Sequence, residues 1–327
     1  MYEAERKLAL KIVGEACGLA STVQRKVVAQ ADSFTKGDRS PVTMADLAIQ
    51  AVVSRRLKEN FPTDLLLAEE DSGALVESPD MAAKVLDLTR SAIPDIDGDE
   101  VAVALDRGDH EGGSGRYWVL DPVDGTKGFL RGQHFAVALA LVDEGQVVVG
   151  VLGCPNLATD PSDPSSEIGC LFAAVRNEGA IQKAIHSGEE KVISTKDSSN
   201  PSDAVMCESV ESAHAAHSEH AQITATLGIT SEPYRIDSQC KYAIVGRGEA
   251  SIYLRLPSAK GYREKVWDHA AGALVIEEAG GKVTDLDGNP LDLASGRFLG
   301  VSRGIIATNG NFHEKVLEAA RNVVIDS

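Results

Sequence analysis

Leu8, Ile12, Ala16, Leu19, Val23 and Val27 recur at intervals of three and four. That spacing predicts a long amphipathic first helix. A second helix is expected from Thr43 to about Asn60. Leu65–Ala68 and Arg116–Leu120 are short apolar runs and read as strands. Between them, residues 72–115 are acidic and glycine-spotted, with a short helix expected around Ala82–Leu88. His134–Val142 and Gln146–Leu152 predict a hairpin about Asp143-Glu144-Gly145. Cys170–Val175 and Ala180–Lys183 predict another about Asn177-Glu178-Gly179. Pro155–Ser166, rich in Pro, Ser and Asp, reads as a solvated loop.

The polar stretch Lys191–Ser202 marks a change of pattern. Strand Ala204–Cys207 leads into a helical stretch around Ala215–Leu227, strand Tyr234–Ile236 and helix Gln239–Arg247. Strand Ser251–Leu256, helix Val266–Ala279, strands Lys282–Thr284 and Ile305–Ala307 and a helix from Phe312 follow. Alternating strand and helix indicates α/β structure. The expectation is an α+β N-terminal domain, residues 1–200, followed by an α/β C-terminal domain, residues 201–327.

The chain has 327 residues, 43% of them hydrophobic, enough for a substantial core. Its formal net charge is −17. Such a surface repels polymeric nucleic acid and anionic membranes, so neither is an expected partner. It also opposes a phosphorylated substrate, unless bound cations reverse the local field. No apolar run approaches a membrane span. Met1-Tyr2-Glu3-Ala4-Glu5-Arg6 lacks the features of a signal peptide, which predicts a cytoplasmic protein. An organellar location after removal of a transit peptide stays open. Cys17, Cys154, Cys170, Cys207 and Cys240 form no C-x-x-C pair, so neither a zinc site nor a disulfide framework is indicated. Buried thiols are expected, although Cys154 and Cys170 flank the Pro/Ser segment and a regulatory disulfide is conceivable there.

Candidate chemistry begins with Asp121-Pro122-Val123-Asp124-Gly125-Thr126. Two carboxylates three apart, with Pro between and Gly after, predict a tight turn at a strand end rather than continued strand or helix. Adjacent carboxylates repel unless a cation neutralises them, and an all-oxygen set suits Mg²⁺. Asp-Gly is equally ordinary turn chemistry. Ala68-Glu69-Glu70-Asp71 also follows a predicted strand, and Trp267-Asp268-His269-Ala270-Ala271-Gly272 opens a predicted helix. A carboxylate at a helix start also serves as a cap. Asp95-Ile96-Asp97-Gly98-Asp99-Glu100 is not a calcium loop, because its glycine falls two positions early; it reads as a solvated acidic loop.

These three clusters together resemble the metal-binding signature of the lithium-sensitive, magnesium-dependent phosphatases. That superfamily includes inositol monophosphatases, inositol polyphosphate 1-phosphatases, fructose 1,6-bisphosphatases and bisphosphate nucleotidases. The match is best to the bisphosphate nucleotidase branch, in its fungal and plant form. It is carried further by Ser40-Pro41-Val42-Thr43-Met44-Ala45-Asp46, Gly125–Arg131, Arg235–Tyr242 and Gly261–Asp268, and runs from the first helix to about Asn309.

The resemblance implies a layered α-β-α-β-α sugar-phosphatase-like fold. It implies two Mg²⁺ ions held by Glu69, Asp121, the backbone carbonyl of Val123, Asp124 and Asp268, and allows a third, weaker ion near Glu70 or Asp71. Asp46 would hold the hydroxyl of Thr126, which orients the attacking water, as a general-base relay. Taken alone, Thr43-x-x-Asp46 fits a helix start with Asp46 in its first turn. Thr126, His214, Ser238, Lys241, Arg255 and Asp268 would contact a nucleotide, with Lys241 and Arg255 on its 5′-phosphate. From the residues themselves, Ser238 and Lys241 at a helix start suit either a phosphate or a cap and a surface lysine. Arg255 on an apolar strand needs an anionic partner or an escape to solvent. A lone His214 near a helix start also fits a structural role.

The implied activity is Mg-dependent hydrolysis of the 3′-phosphate of adenosine 3′,5′-bisphosphate to AMP, with 3′-phosphoadenosine 5′-phosphosulfate as a further substrate. That places it in sulfur metabolism, as a lithium-sensitive monomer acting on a small-molecule nucleotide. The alternatives are an inositol polyphosphate 1-phosphatase and a catalytically silent, metal-binding regulatory protein.

Overall fold

The computed structural model describes residues 1–29, 40–210, 217–257, 263–293, 295–300 and 302–326. The first part of the chain forms α1 (Glu3–Ala29), α2 (Ser40–Asn60), β1 (Leu65–Ala68), α3 (Gly73–Glu77), α4 (Pro79–Arg90) and α5 (Gly98–Asp106). It continues through β2 (Tyr117–Asp124), α6 (Thr126–Leu130), β3 (Ala136–Asp143), β4 (Gln146–Ala158), β5 (Ile168–Val175), β6 (Gly179–Ala184) and β7 (Glu190–Ile193). The remainder comprises β8 (Met206–Glu208), α7 (His217–Thr226), β9 (Tyr234–Arg235), α8 (Cys240–Gly246), β10 (Ile252–Arg255), α9 (Ala270–Glu278), β11 (Lys282–Thr284), β12 (Ile305–Thr308) and α10 (His313–Asp326).

Strands β1 to β7 form one sheet in chain order, antiparallel except for the parallel pair β1–β2. The other sheet runs β11-β12-β10-β8-β9 and is mixed. Side chains alternate across each strand, and the cores follow that alternation. Leu66, Trp118 and Leu120 pack under α1 and α2. Leu67, Tyr117 and Val119 face the opposite way, toward α8, α9 and Cys207, Tyr253 and Ala307 of the second sheet. Met206, Ile252 and Ile306 on the far side meet α7 and α10. The layers therefore run helix, sheet, helix, sheet, helix, as the resemblance implies.

Several local expectations need correction. The acidic segment does not end β2: the strand continues through Asp121-Pro122-Val123 to Asp124, with an irregularity in its pairing to β3 between Asp121 and Asp124. A bulge accommodates the missing proline N–H, and the turn comes at Gly125 instead. Helix α2 begins at Ser40, which moves Asp46 beyond its first turn. The stretch 72–115 holds three helices, and Asp97 is no solvated-loop residue. It accepts from Glu100 N–H at 2.9 Å while the Glu100 carboxylate accepts from Asp97 N–H at 3.1 Å, a capping box that starts α5. Strand β4 runs to Ala158, into the expected loop. Val266–Asp268 is a 3₁₀ turn, separated from α9 by His269. The five cysteines are buried and unpaired. Among the described residues, no helix is long and apolar enough to cross a membrane.

Candidate active site

Ala68 pairs with Leu120 at the end of the parallel rung between β1 and β2. Glu69 therefore leaves β1 next to Asp121, which is still within β2. Asp124 follows across the bulge, and its Oδ2 accepts a hydrogen bond from the backbone N–H of Gln239, just before α8. Gly125 lies between these segments with φ +92°; a Cβ there would stand 2.7 Å from Ser238 Cβ. Glycine is needed both for that backbone and for the close approach. The end of the first sheet is thus locked against the segment 238–241.

Packing brings the acids near one another against their mutual repulsion. Asp121 is buried, and its Oδ1 has no hydrogen-bond partner. Burial, then Asp124, Glu69, Asp268 and Asp46, push its carboxyl well above the usual range. Glu69 is partly exposed, and local desolvation and then Glu70 raise it to about 7, against the pull of Lys265. Burial lifts Asp268 to about 6, with His269 opposing. Asp46 is raised by burial and then by Glu70 and Glu69. Acids that raise one another in this way call for a counter-charge. The orphaned Asp121 oxygen and the neighbouring carboxylates Asp124, Glu69, Asp268 and Asp46 fit a hard divalent cation such as Mg²⁺.

The other expected residues are placed unevenly. Thr126 opens α6 directly after Gly125. Among the described residues, the Asp46 carboxylate and Thr126 hydroxyl make no direct hydrogen bond to each other. The Val123 side chain lies in the core. Ser238 adopts φ +68°, and its Oγ accepts from Cys240 N–H at 3.2 Å. The first two N–H groups around α8 are therefore spent on Asp124 and Ser238. Lys241 is not a surface lysine: it is buried, its Nζ donates to Ile236 O at 3.4 Å and sits 5.4 Å from the Tyr253 ring centroid. Burial pulls its pKa down, against the attraction of Asp124. His214 lies outside the described residues.

Arg255 finds its anionic partners inside the protein. Its Nε lies 2.8 Å from Glu264 Oε2 and its Nη2 3.6 Å from Asp268 Oδ2. The same Glu264 oxygen is 3.2 Å from His269 Nε2, and His269 Nδ1 is 2.8 Å from the Tyr242 hydroxyl. Burial would raise the Glu264 carboxyl, but the hydrogen bond from His269 and the charge of Arg255 hold it below the ordinary value. Gly272 makes room for this chain, since a Cβ there would run into the Tyr242 ring. Glu264, Asp268 and His269 each bring a ligand atom within 4.8 Å of the others, yet the Arg255 guanidinium already supplies the positive charge among them. Sequence reasoning missed Glu264, His269 and Tyr242 as site residues. The signal was their place inside the stretches Arg235–Tyr242, Gly261–Asp268 and Trp267–Gly272 that carry the resemblance.

The profile of the inositol monophosphatase family matches residues 1–324. The chain belongs to that family. Among family relatives, a 3′(2′),5′-bisphosphate nucleotidase of Schizosaccharomyces pombe is 40% identical, covering 98% of this chain and 96% of its own. A 3′(2′),5′-bisphosphate nucleotidase of Oryza sativa is 43% identical, over 99% and 95% of the two chains. The Thermotoga maritima IMPase structure superposes with a TM-score of 0.66 at 20% identity, covering 98% of both chains, and shows that the inositol monophosphatase fold is shared.

Proposed function

We propose that this chain is a Mg-dependent 3′(2′),5′-bisphosphate nucleotidase that removes the 3′-phosphate of adenosine 3′,5′-bisphosphate. The observation that carries the reading is the buried Asp121, with its unpartnered oxygen amid Glu69, Asp124, Asp268 and Asp46, beside the cations Lys241 and Arg255. The names of near-full-length relatives support the substrate. Residues 1–200 would form the catalytic domain and residues 201–327 the nucleotide-binding domain, working as a cytoplasmic monomer.

Glu69, Asp121, Asp124, Asp268 and the Val123 carbonyl would hold two Mg²⁺ ions, with a third near Glu70 or Asp71. Bound there, the ions neutralise phosphate charge and make water a better nucleophile. Asp46 and Thr126 orient the attacking water and receive its proton. The absence of a direct bond between them is compatible with that role, because catalytic hydrogen bonds tighten when substrate is bound. Lys241 and Arg255 hold the phosphate that does not react, and that binding energy places the 3′-phosphate for attack. Arg255 is already oriented by Glu264, so little reorganisation is needed.

A phosphate-release panel with Mg²⁺ tests the reading. It compares adenosine 3′,5′-bisphosphate, inositol 1,4-bisphosphate, fructose 1,6-bisphosphate and 5′-AMP. Release should be fastest from the first. Faster release from inositol 1,4-bisphosphate would move the assignment to an inositol polyphosphate phosphatase.

A further inference from the structure

Glu69 and Asp268 lie far apart in sequence, yet one guanidinium grips the residue before each. Arg297 Nη2 donates to Ala68 O at 2.6 Å. Its Nη1 reaches Gly108 O at 3.3 Å and His110 O at 3.4 Å. Residues 108–110 run beside β1: Ala68 N–H donates to Gly108 O at 3.0 Å and His110 N–H to Leu66 O at 3.1 Å. Arg297 therefore clasps the end of β1 and the segment next to it. Its Cζ also stands 5.0 Å from the ring centroid of Trp267, the neighbour of Asp268. The segment carrying Arg297 is itself fixed to the approach to Asp268. Val266 N–H donates to Arg297 O at 3.1 Å and Leu299 N–H to Glu264 O at 2.8 Å.

We infer that Arg297 is a positioning residue that sets the separation of Glu69 from Asp268, and so the fit of the site to its divalent ions. The inference rests on the reading of Glu69 and Asp268 as ligands. A fork of planar donors suits three carbonyls, and a lysine cannot reproduce it. Groups that orient ligands from behind typically change metal affinity by about 10–100-fold when lost.

The sign of the effect makes the test sharp. Arg297 is a cation bound to the carbonyl of the residue before Glu69. If charge were its only role, Arg297→Met, measured at a pH where the carboxylates are ionised in every variant, would remove a repulsion and tighten divalent binding. If it positions the ligands, the same change weakens binding. The experiment measures Mn²⁺ binding to the full chain by electron paramagnetic resonance, together with kcat, KM and the Mg²⁺ concentration for half-activation. Arg297→Met should weaken Mn²⁺ binding by roughly ten-fold or more and raise the half-activating Mg²⁺ in parallel. Arg297→Lys, which keeps the charge, should also weaken it several-fold, and carries the test should the Met variant fail to fold. Arg247→Met is the control. Arg247 Nη1 joins the chain end of α8 to Ala158 O at 2.8 Å and Gln182 Oε1 at 3.2 Å. Its loss should lower Tm and leave Mn²⁺ affinity unchanged. Unchanged or tighter Mn²⁺ binding in the Arg297 variants overturns the inference, as does equal weakening in Arg247→Met. Glu69→Gln and Asp268→Asn are measured alongside. If these too leave Mn²⁺ binding intact, the ligand assignment itself has failed.

Discussion

Ala68 and Leu120 are parallel partners, so Glu69 leaves β1 beside Asp121, which stays within β2. Two acids so placed repel each other in the folded chain and attract a divalent cation. Chelation should abolish phosphate release, and Mg²⁺ should restore it. Lithium should inhibit where potassium does not. Asp121→Asn should lose most activity and most of the Tm increase that Mg²⁺ gives. Its metal-free Tm should not fall, because the change removes a buried acid that nothing in the protein hydrogen-bonds at Oδ1. Wild-type turnover in this variant would reduce Asp121 to a strand residue.

Asp46 and Thr126 reach the site from α2 and α6, which pack against each other. Asp46→Ala and Thr126→Ala should each lower kcat strongly while shifting Mg²⁺ half-activation much less than Asp121→Asn does. Residues that act as one unit are non-additive, so the double variant should be little worse than the worse single. Multiplicative losses would separate the two residues.

The raised acids fix a pH dependence. Glu69 near 7 and Asp268 near 6 stand above their ordinary values of 4.5 and 3.8. The metal-free native state therefore holds more protons than the unfolded chain, and its stability falls as pH rises through this window. Divalent binding reverses the trend, since it needs the ionised form. Tm measured with chelator should decline from about pH 5 to pH 7.5, and the increase on adding Mg²⁺ should grow over the same range. A metal-free Tm that rises across the window would contradict the clustering of these carboxylates. Glu69 keeps contact with solvent, so its share is the more weakened by salt.

Lys241 and Arg255 should distinguish substrates. Charge-assisted contacts to phosphate are worth about 1.5–3 kcal/mol each. Lys241→Ala or Arg255→Ala should therefore cost about ten- to a hundred-fold in kcat/KM on adenosine 3′,5′-bisphosphate. The loss on 3′-AMP, which lacks the 5′-phosphate, should be small. Glu264→Gln should follow the same substrate pattern more mildly, because it loosens Arg255 without removing it. Equal losses on both substrates would place these residues elsewhere in the reaction.

The sequence showed the acids well and their surroundings poorly. Alternating apolar residues made the strands legible, and two of the three acidic clusters marked the end of the β1–β2 pair. Pro122 misled, because proline forbids a regular ladder but not a bulged one. Asp97 misled because a capping box and a solvated acidic loop share the same letters. Lys241 and Glu264 could not be read as buried, nor Arg255 as internally paired, since charge interactions across remote segments leave no periodic trace. Tyr242 and His269 looked like ordinary helix residues until Gly272 brought α8 and α9 together.

The hydrogen bond from Gln239 to Asp124 joins segments that lie far apart in the chain. The first sheet is a meander of near neighbours and can assemble early, whereas this contact spans 115 residues. Catalytic competence should therefore be a late acquisition of refolding. After dilution from denaturant, the signal of the buried Trp118 should recover ahead of phosphate release, with an interval in which the sheet exists and the enzyme does not.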